Sequence, residues 1–250
     1  VKHDLQTELS RALQRLREAG YPVTGPVKAV VDEKLAFMGY TTERWDRHLV
    51  VVSGMALERG LVEGLLVHEL AHVYRTETKH PSHDPALLGE EINRAGVRHR
   101  LDQPYQGRAL RAAVNHLQDL YADDVSFAVF RQSKIFTPEQ AGGFFLDWIA
   151  PEPLSIKDKE EEGWANATLL VRNSFALANL ARHAIPDPAG IAARRNERFL
   201  QELPPLAGKR FEWFHAFMRD LPERVTREAY RRLLARYLDN LVALARELGR

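Results

Sequence analysis

The sequence predicts an α+β fold that is predominantly helical, with a small sheet ahead of one buried helix and a helical C-terminal half. Two observations carry this. β-Branched runs of strand length are confined to residues 25–55, and helical spacing of apolar residues dominates from there to the C-terminus. A third is composition: 45% hydrophobic and 28% charged residues over 250 positions, the balance of a globular chain large enough for one big domain or two modest ones.

Leu5 to Ala19 reads as a helix with Leu5, Leu9, Leu13 and Leu16 on its apolar stripe, stopped by Gly20 and Pro22. The preceding residues, Val1-Lys2-His3, read as the start of this amphipathic segment rather than as a signal peptide. Val27–Val31 is a short strand, and Leu35–Gly39 a second strand or a turn. His48-Leu49-Val50-Val51-Val52-Ser53 is a stronger strand, stopped by Gly54. A helix over 57–77 follows, then a Pro-rich loop from Thr78 to Pro85 in which His80 and His83 are expected to face solvent. Helices are expected near 86–98 and from Gln106 to Phe130. Thr137-Pro138-Glu139-Gln140 has the form of a capped helix start. Residues 150–162 read as a solvated loop leading into a helix, and further helices fall at about 162–183, 189–202, 208–220 and 226–248, punctuated by prolines. The division expected is 1–135, with the sheet (25–55) and the helices 57–77 and 106–130, and a helical subdomain over 136–250.

A formal net charge of +1 argues against a dedicated nucleic-acid surface. No apolar run approaches the ~20 residues of a membrane span, so no membrane partner is expected. The chain has no cysteine, so any metal must be held by His, Asp, Glu or water, and a cytoplasmic location is expected.

The helix at 57–77 contains His68-Glu69-Leu70-Ala71-His72. Residues four apart share a helix face, so both imidazoles can address one ion while Glu69 stands beside it as a base. Leu61, Leu65, His68, His72 and Arg75 form one stripe, and Val62, Leu66, Leu70 and Val73 another. A helix apolar on more than one side is buried, and its polar groups then need partners. A catalytic zinc takes three protein ligands and leaves a position for water. The third is sought on the helix at 106–130, where Asp119 and Asp123 share a face and small residues such as Ala112 and Ala122 permit close approach. His116 is the main rival, with Glu90 and Glu91 behind it.

With these residues the chain resembles the zincin metallopeptidases, over roughly residues 45–130. It is most like the gluzincins, where a downstream helix gives a carboxylate ligand and a second carboxylate one turn later; here the pattern is Asp119-x-x-x-Asp123 rather than Glu-x-x-x-Asp. The extended metzincin pattern is absent. The resemblance implies a zincin-like catalytic core, one Zn2+ per chain held by His68, His72 and Asp119, and Asp123 orienting a ligand histidine. It implies hydrolysis of a peptide or protein substrate, with Glu69 as general base. A second electrophile is sought among Tyr74, Tyr121, His183 and His215. His48–Ser53 is the expected edge strand for β-addition of a peptide.

Two other readings stand beside this one. Glu69-x-x-His72 and Glu212-x-x-His215 fit a di-metal carboxylate bundle with oxidoreductase chemistry. A non-catalytic zincin-like binding or regulatory protein would keep the scaffold with a structural metal site.

Overall fold

A computed structural model of the chain describes residues 4–44, 46–58 and 61–250. Val1–His3, expected to begin the first helix, and Arg59 and Gly60, expected within the helix at 57–77, lie outside the described residues. Among the described residues the protein is mostly helical, with one small N-terminal sheet. No described helix is long and apolar enough to cross a membrane. The chain forms two compact units, Val1–His83 with Tyr121–Thr137, and Asp84–Leu120 with Pro138–Arg250.

The first unit begins with α1 (Leu5–Glu18). Asp4 caps it by accepting from the Gln6 N–H, and Leu9, Ala12 and Leu16 are its buried face. The helix ends where Gly20 adopts φ +87° and the Tyr21 N–H returns to the Leu16 carbonyl, a turn that favours glycine. The sheet follows: β1 (Val27–Asp32), β2 (Gly39–Arg44) and β3 (Arg47–Ser53), in the order β1-β3-β2. β1 runs parallel to β3, with Ala29 opposite Val50, and β2 runs antiparallel to it, with Thr41 opposite Val50.

Of the two readings of Leu35–Gly39, strand or turn, the turn holds: most of the segment lies between β1 and β2. One expectation fails here. β3 is not an edge strand: it lies in the centre of the sheet with Val50, Val51 and Val52 buried. The continuous valine run is what a strand covered on both faces looks like. The edges are β1 and β2.

The expected helix at 57–77 is two helices, α2 (Gly54–Glu58) and α3 (Val62–Glu77). α3 buries Val62, Leu66, Leu70 and Val73 and packs on α1, β2 and β3. Arg15 of α1 pairs with Glu63 at its start. Gly64 allows close contact one turn before His68, because a Cβ there would collide with the ring of Phe136. At its other end, Glu77 accepts from the Thr24 hydroxyl and from the backbone N–H groups of Thr24 and Gly25. This fixes the turn that launches β1.

The loop after α3 is not a solvated tether. Pro81–His83 forms a 3-10 turn in which Ser82 and His83 are buried.

The second unit contains α4 (Pro85–His99), capped by Asp84 through the Ala86 and Leu87 N–H groups. α5 (Pro104–Ser133) is a single helix of 30 residues that carries the chain from the second unit back into the first. α6 (Pro138–Leu146), α7 (Lys159–Arg182), α8 (Ile191–Gln201), α9 (Leu206–Arg219) and α10 (Arg227–Leu248) complete the unit. α7 is its central helix, packed by α9 and α10, and α10 also packs on α4.

Residues 150–156 form a largely exposed loop whose backbone is held along α7 by side chains on one face of that helix. Asn173 accepts from the Ala150 N–H at 2.9 Å and donates to its carbonyl at 3.0 Å. Asn166 does the same for Leu154 at 2.7 and 2.9 Å, and Glu162 accepts from the Ile156 N–H at 2.8 Å. Each amide satisfies both backbone groups of one residue, as a neighbouring strand would.

Asn173 is fully buried and also donates to Asn196. Replacing it with alanine strands the Ala150 N–H and C=O, and Asn173→Ala is expected to cost about 2–3 kcal/mol. Urea unfolding of variant and parent, compared at equal m-value, measures this.

Candidate metal centre

α3 carries four polar side chains into the first unit, two of them met by α5, one by β2 and one by the 3-10 turn. Arg75, buried, donates through Nε to the Tyr121 carbonyl of α5 at 2.9 Å and lies over the Tyr121 ring. Two turns earlier, His68 Nδ1 lies 3.0 Å from the Asp123 carboxylate. These two contacts join α3 to the second half of α5. Glu69 is buried, 4% exposed, and its Oε2 accepts from the Thr41 hydroxyl of β2 at 2.8 Å. His72 Nδ1 lies 2.8 Å from His83 Nε2 in the 3-10 turn.

With their Nδ1 atoms so engaged, the two imidazoles aim their remaining nitrogens at one point. His68 Nε2 and His72 Nε2 are 3.2 Å apart, with the rings nearly perpendicular. Asp119 of α5 completes the group. One ligand atom from each of His68, His72 and Asp119 lies within 4.8 Å of the others, and all three residues are partly exposed. Zinc held tetrahedrally with bonds of about 2.0–2.2 Å separates its ligand atoms by roughly 3.3–3.6 Å. The two histidines already stand near that spacing, and the donor set of two neutral imidazoles and a carboxylate suits a borderline divalent metal. The group is therefore one that can hold a metal ion.

The rival ligands are occupied elsewhere. His116 stacks on Phe175 at 5.0 Å with Trp148 at its edge, inside the second unit. Burial lowers its pKa to about 4 against the opposing pull of Asp119, so the ring is neutral at neutral pH. Glu91 is buried and paired with Arg94 and Arg231, while exposed Glu90 pairs with the same two arginines. Glu212 is exposed on α9, and His215 stacks on Phe211. Among the described residues neither belongs to a metal-type group, so the Glu212-x-x-His215 spacing, present in sequence, is not joined by further ligands.

The electrophile candidates have these surroundings. Tyr74 packs edge-on against Tyr21 at 5.3 Å. Tyr121 is fully buried, with its ring against His80 at 4.5 Å. His183 is buried at the C-terminal cap of α7.

Two expectations about the loop are corrected. His83 is 8% exposed, not solvated, and His80 is partly covered. The compact turn at Pro81 folds them back toward α3, where hydrogen bonds to His72 and Ser82 replace water. Burial, reinforced by the positive potential of His72, His80, Arg75 and His68, holds His83 well below the usual histidine range. His83, Ser82 and Thr41 were not legible as site residues. They reach α3 through tertiary contacts that leave no spacing signature in the sequence.

No curated protein and no solved structure matches this chain significantly. A family model described as a family of unknown function (DUF5781) matches residues 9–235, a span that includes every residue of the candidate centre, and the chain belongs to that family.

Proposed function

We infer that the protein is a zinc-dependent metallopeptidase of zincin type. The observation that carries this reading is the grouping of His68, His72 and Asp119, with the two Nε2 atoms 3.2 Å apart, on a helix where Glu69 follows the first histidine. His68, His72 and Asp119 would hold the metal, leaving a position for water as catalytic zinc sites do. A zinc ion there supplies a Lewis acid that acidifies water toward a pKa of ~7 and polarises the scissile carbonyl.

The chain's own groups do the rest. Glu69 follows the first histidine on α3, and in this reading its carboxylate would take a proton from the attacking water and return it to the leaving amine. Thr41 holds Oε2 by one hydrogen bond and so fixes the orientation of the carboxylate. Asp123 accepts from His68 Nδ1, which selects the tautomer with a lone pair on Nε2 and raises the basicity of the ring. A purely structural metal site has no use for a buried, oriented carboxylate of this kind.

β2 is the sheet edge that carries Thr41, and it replaces β3 as the place where an extended peptide would add. Exposed Phe37 and Tyr40, 6.0 Å apart at the start of that strand, offer apolar surface for substrate side chains.

Two variants separate metal binding from chemistry. Glu69→Gln should keep stoichiometric zinc and lose peptide hydrolysis by at least about 10²-fold, the lower range for a general base. Hydrolysis surviving at parental rate refutes Glu69 as the base. Thr41→Val should lower kcat by roughly tenfold, the equivalent of one hydrogen bond of about 1.5 kcal/mol, with zinc content unchanged. Metal analysis and steady-state kinetics on an unstructured peptide library read both.

A further inference from the structure

We propose that His83 is a positioning residue for the metal centre, acting through His72, and that Ser82 and His80 set the direction in which it acts. The inference rests on the metal-binding reading above. Its geometric part can also be tested without metal.

Several groups beside His83 have only one hydrogen-bonding role. The Ser82 backbone N–H can only donate, and it donates to His80 Nδ1 at 3.3 Å. His80 Nδ1 is therefore an acceptor. We take the Ser82 hydroxyl, 2.7 Å from the same nitrogen, to donate to it as well, the two donors sharing the one lone pair of Nδ1. The Ser82 oxygen is left to accept, and at 2.8 Å it takes the proton of His83 Nδ1. A neutral His83 with its proton on Nδ1 has a lone pair on Nε2. That lone pair accepts from His72 Nδ1 at 2.8 Å. His72, with its proton on Nδ1, then directs a lone pair from Nε2.

The same logic runs from the other end. An ionised carboxylate can only accept, so Asp123 fixes the His68 proton on Nδ1 and leaves a lone pair on its Nε2. Both chains of inference end at the pair of Nε2 atoms 3.2 Å apart. One chain is anchored by a backbone donor and the other by a carboxylate, and they make both ring nitrogens ligands before any ion arrives. Zinc-binding histidines commonly donate their second N–H to a carboxylate or carbonyl. Here a neutral imidazole takes that place for His72, and burial of Ser82 and His83 protects the chain from competition by water.

The test uses the full chain with His83→Ala, His83→Gln and Ser82→Ala, each checked for parental circular dichroism. Glutamine places a carbonyl oxygen close to where His83 Nε2 lies and should rescue. Two readouts apply: zinc affinity by chelator competition, and the His72 tautomer in metal-free protein by 15N-correlated NMR of the imidazoles. We expect the parent and His83→Gln to hold His72 with the proton on Nδ1. In His83→Ala that preference should be lost, with zinc affinity falling by about 10–100-fold, the range for loss of such a partner. Ser82→Ala should shift both readouts in the same direction by less. A parental His72 protonated on Nε2, or a His83→Ala protein with unchanged tautomer and affinity, overturns the proposal. If the parent takes up no zinc, the metal reading fails instead, and the tautomer measurement alone decides whether His83 orients His72.

Discussion

The contact between α3 and the second half of α5 is the constraint on which the candidate centre depends. α3 is anchored on one side by ordinary burial: Val62, Leu66, Leu70 and Val73 are at most 2% exposed, each contributing about 1.5–3 kcal/mol. That burial takes Glu69 and Arg75 out of water and leaves His68 and His72 partly covered. Buried polar groups are tolerated only with partners, and the fold supplies one to each: Asp123, Thr41, His83 and the Tyr121 carbonyl. The Arg75 and His68 contacts lie on the same side of α3, and together they set the register between the two helices.

That register explains why the two imidazoles converge. Helical spacing alone puts His68 and His72 on one face but leaves each ring free to rotate. Locking each Nδ1 to a different segment removes that freedom and turns both Nε2 atoms inward. Asp119, one turn before Asp123 on α5, comes to the same place through the contact that holds Asp123. Preorganisation of this kind lowers the cost of binding an ion, because the ligands are ordered by folding rather than by the metal.

How much of this can be read from the sequence follows from how local each feature is. The His-Glu-x-x-His pattern and the Asp119/Asp123 pair are legible because both are spacings within one helix. The helical C-terminal half is legible for the same reason, and proline and glycine mark most of its boundaries. Sheet order is not local, so Arg47–Ser53 could pass for an edge although its unbroken valines already suit a covered strand. Thr41, Ser82 and His83 are invisible in sequence because each meets α3 only across a turn or a sheet. His80 and His83 beside prolines resemble a solvated loop until the 3-10 turn folds them inward. His116, adjacent in spacing to Asp119, looks like a ligand but stacks with Phe175 and Trp148, a choice decided by the aromatic surroundings.

The most direct measurement of the central claim is an anomalous-difference map at the zinc edge from crystals of protein loaded with one equivalent of zinc. A single peak at bonding distance, about 2.0–2.2 Å, from His68 Nε2, His72 Nε2 and an Asp119 oxygen, with a position left for water, is the predicted result. An ion bound elsewhere, a peak closed by four protein ligands, or no peak between the two histidines would contradict the account.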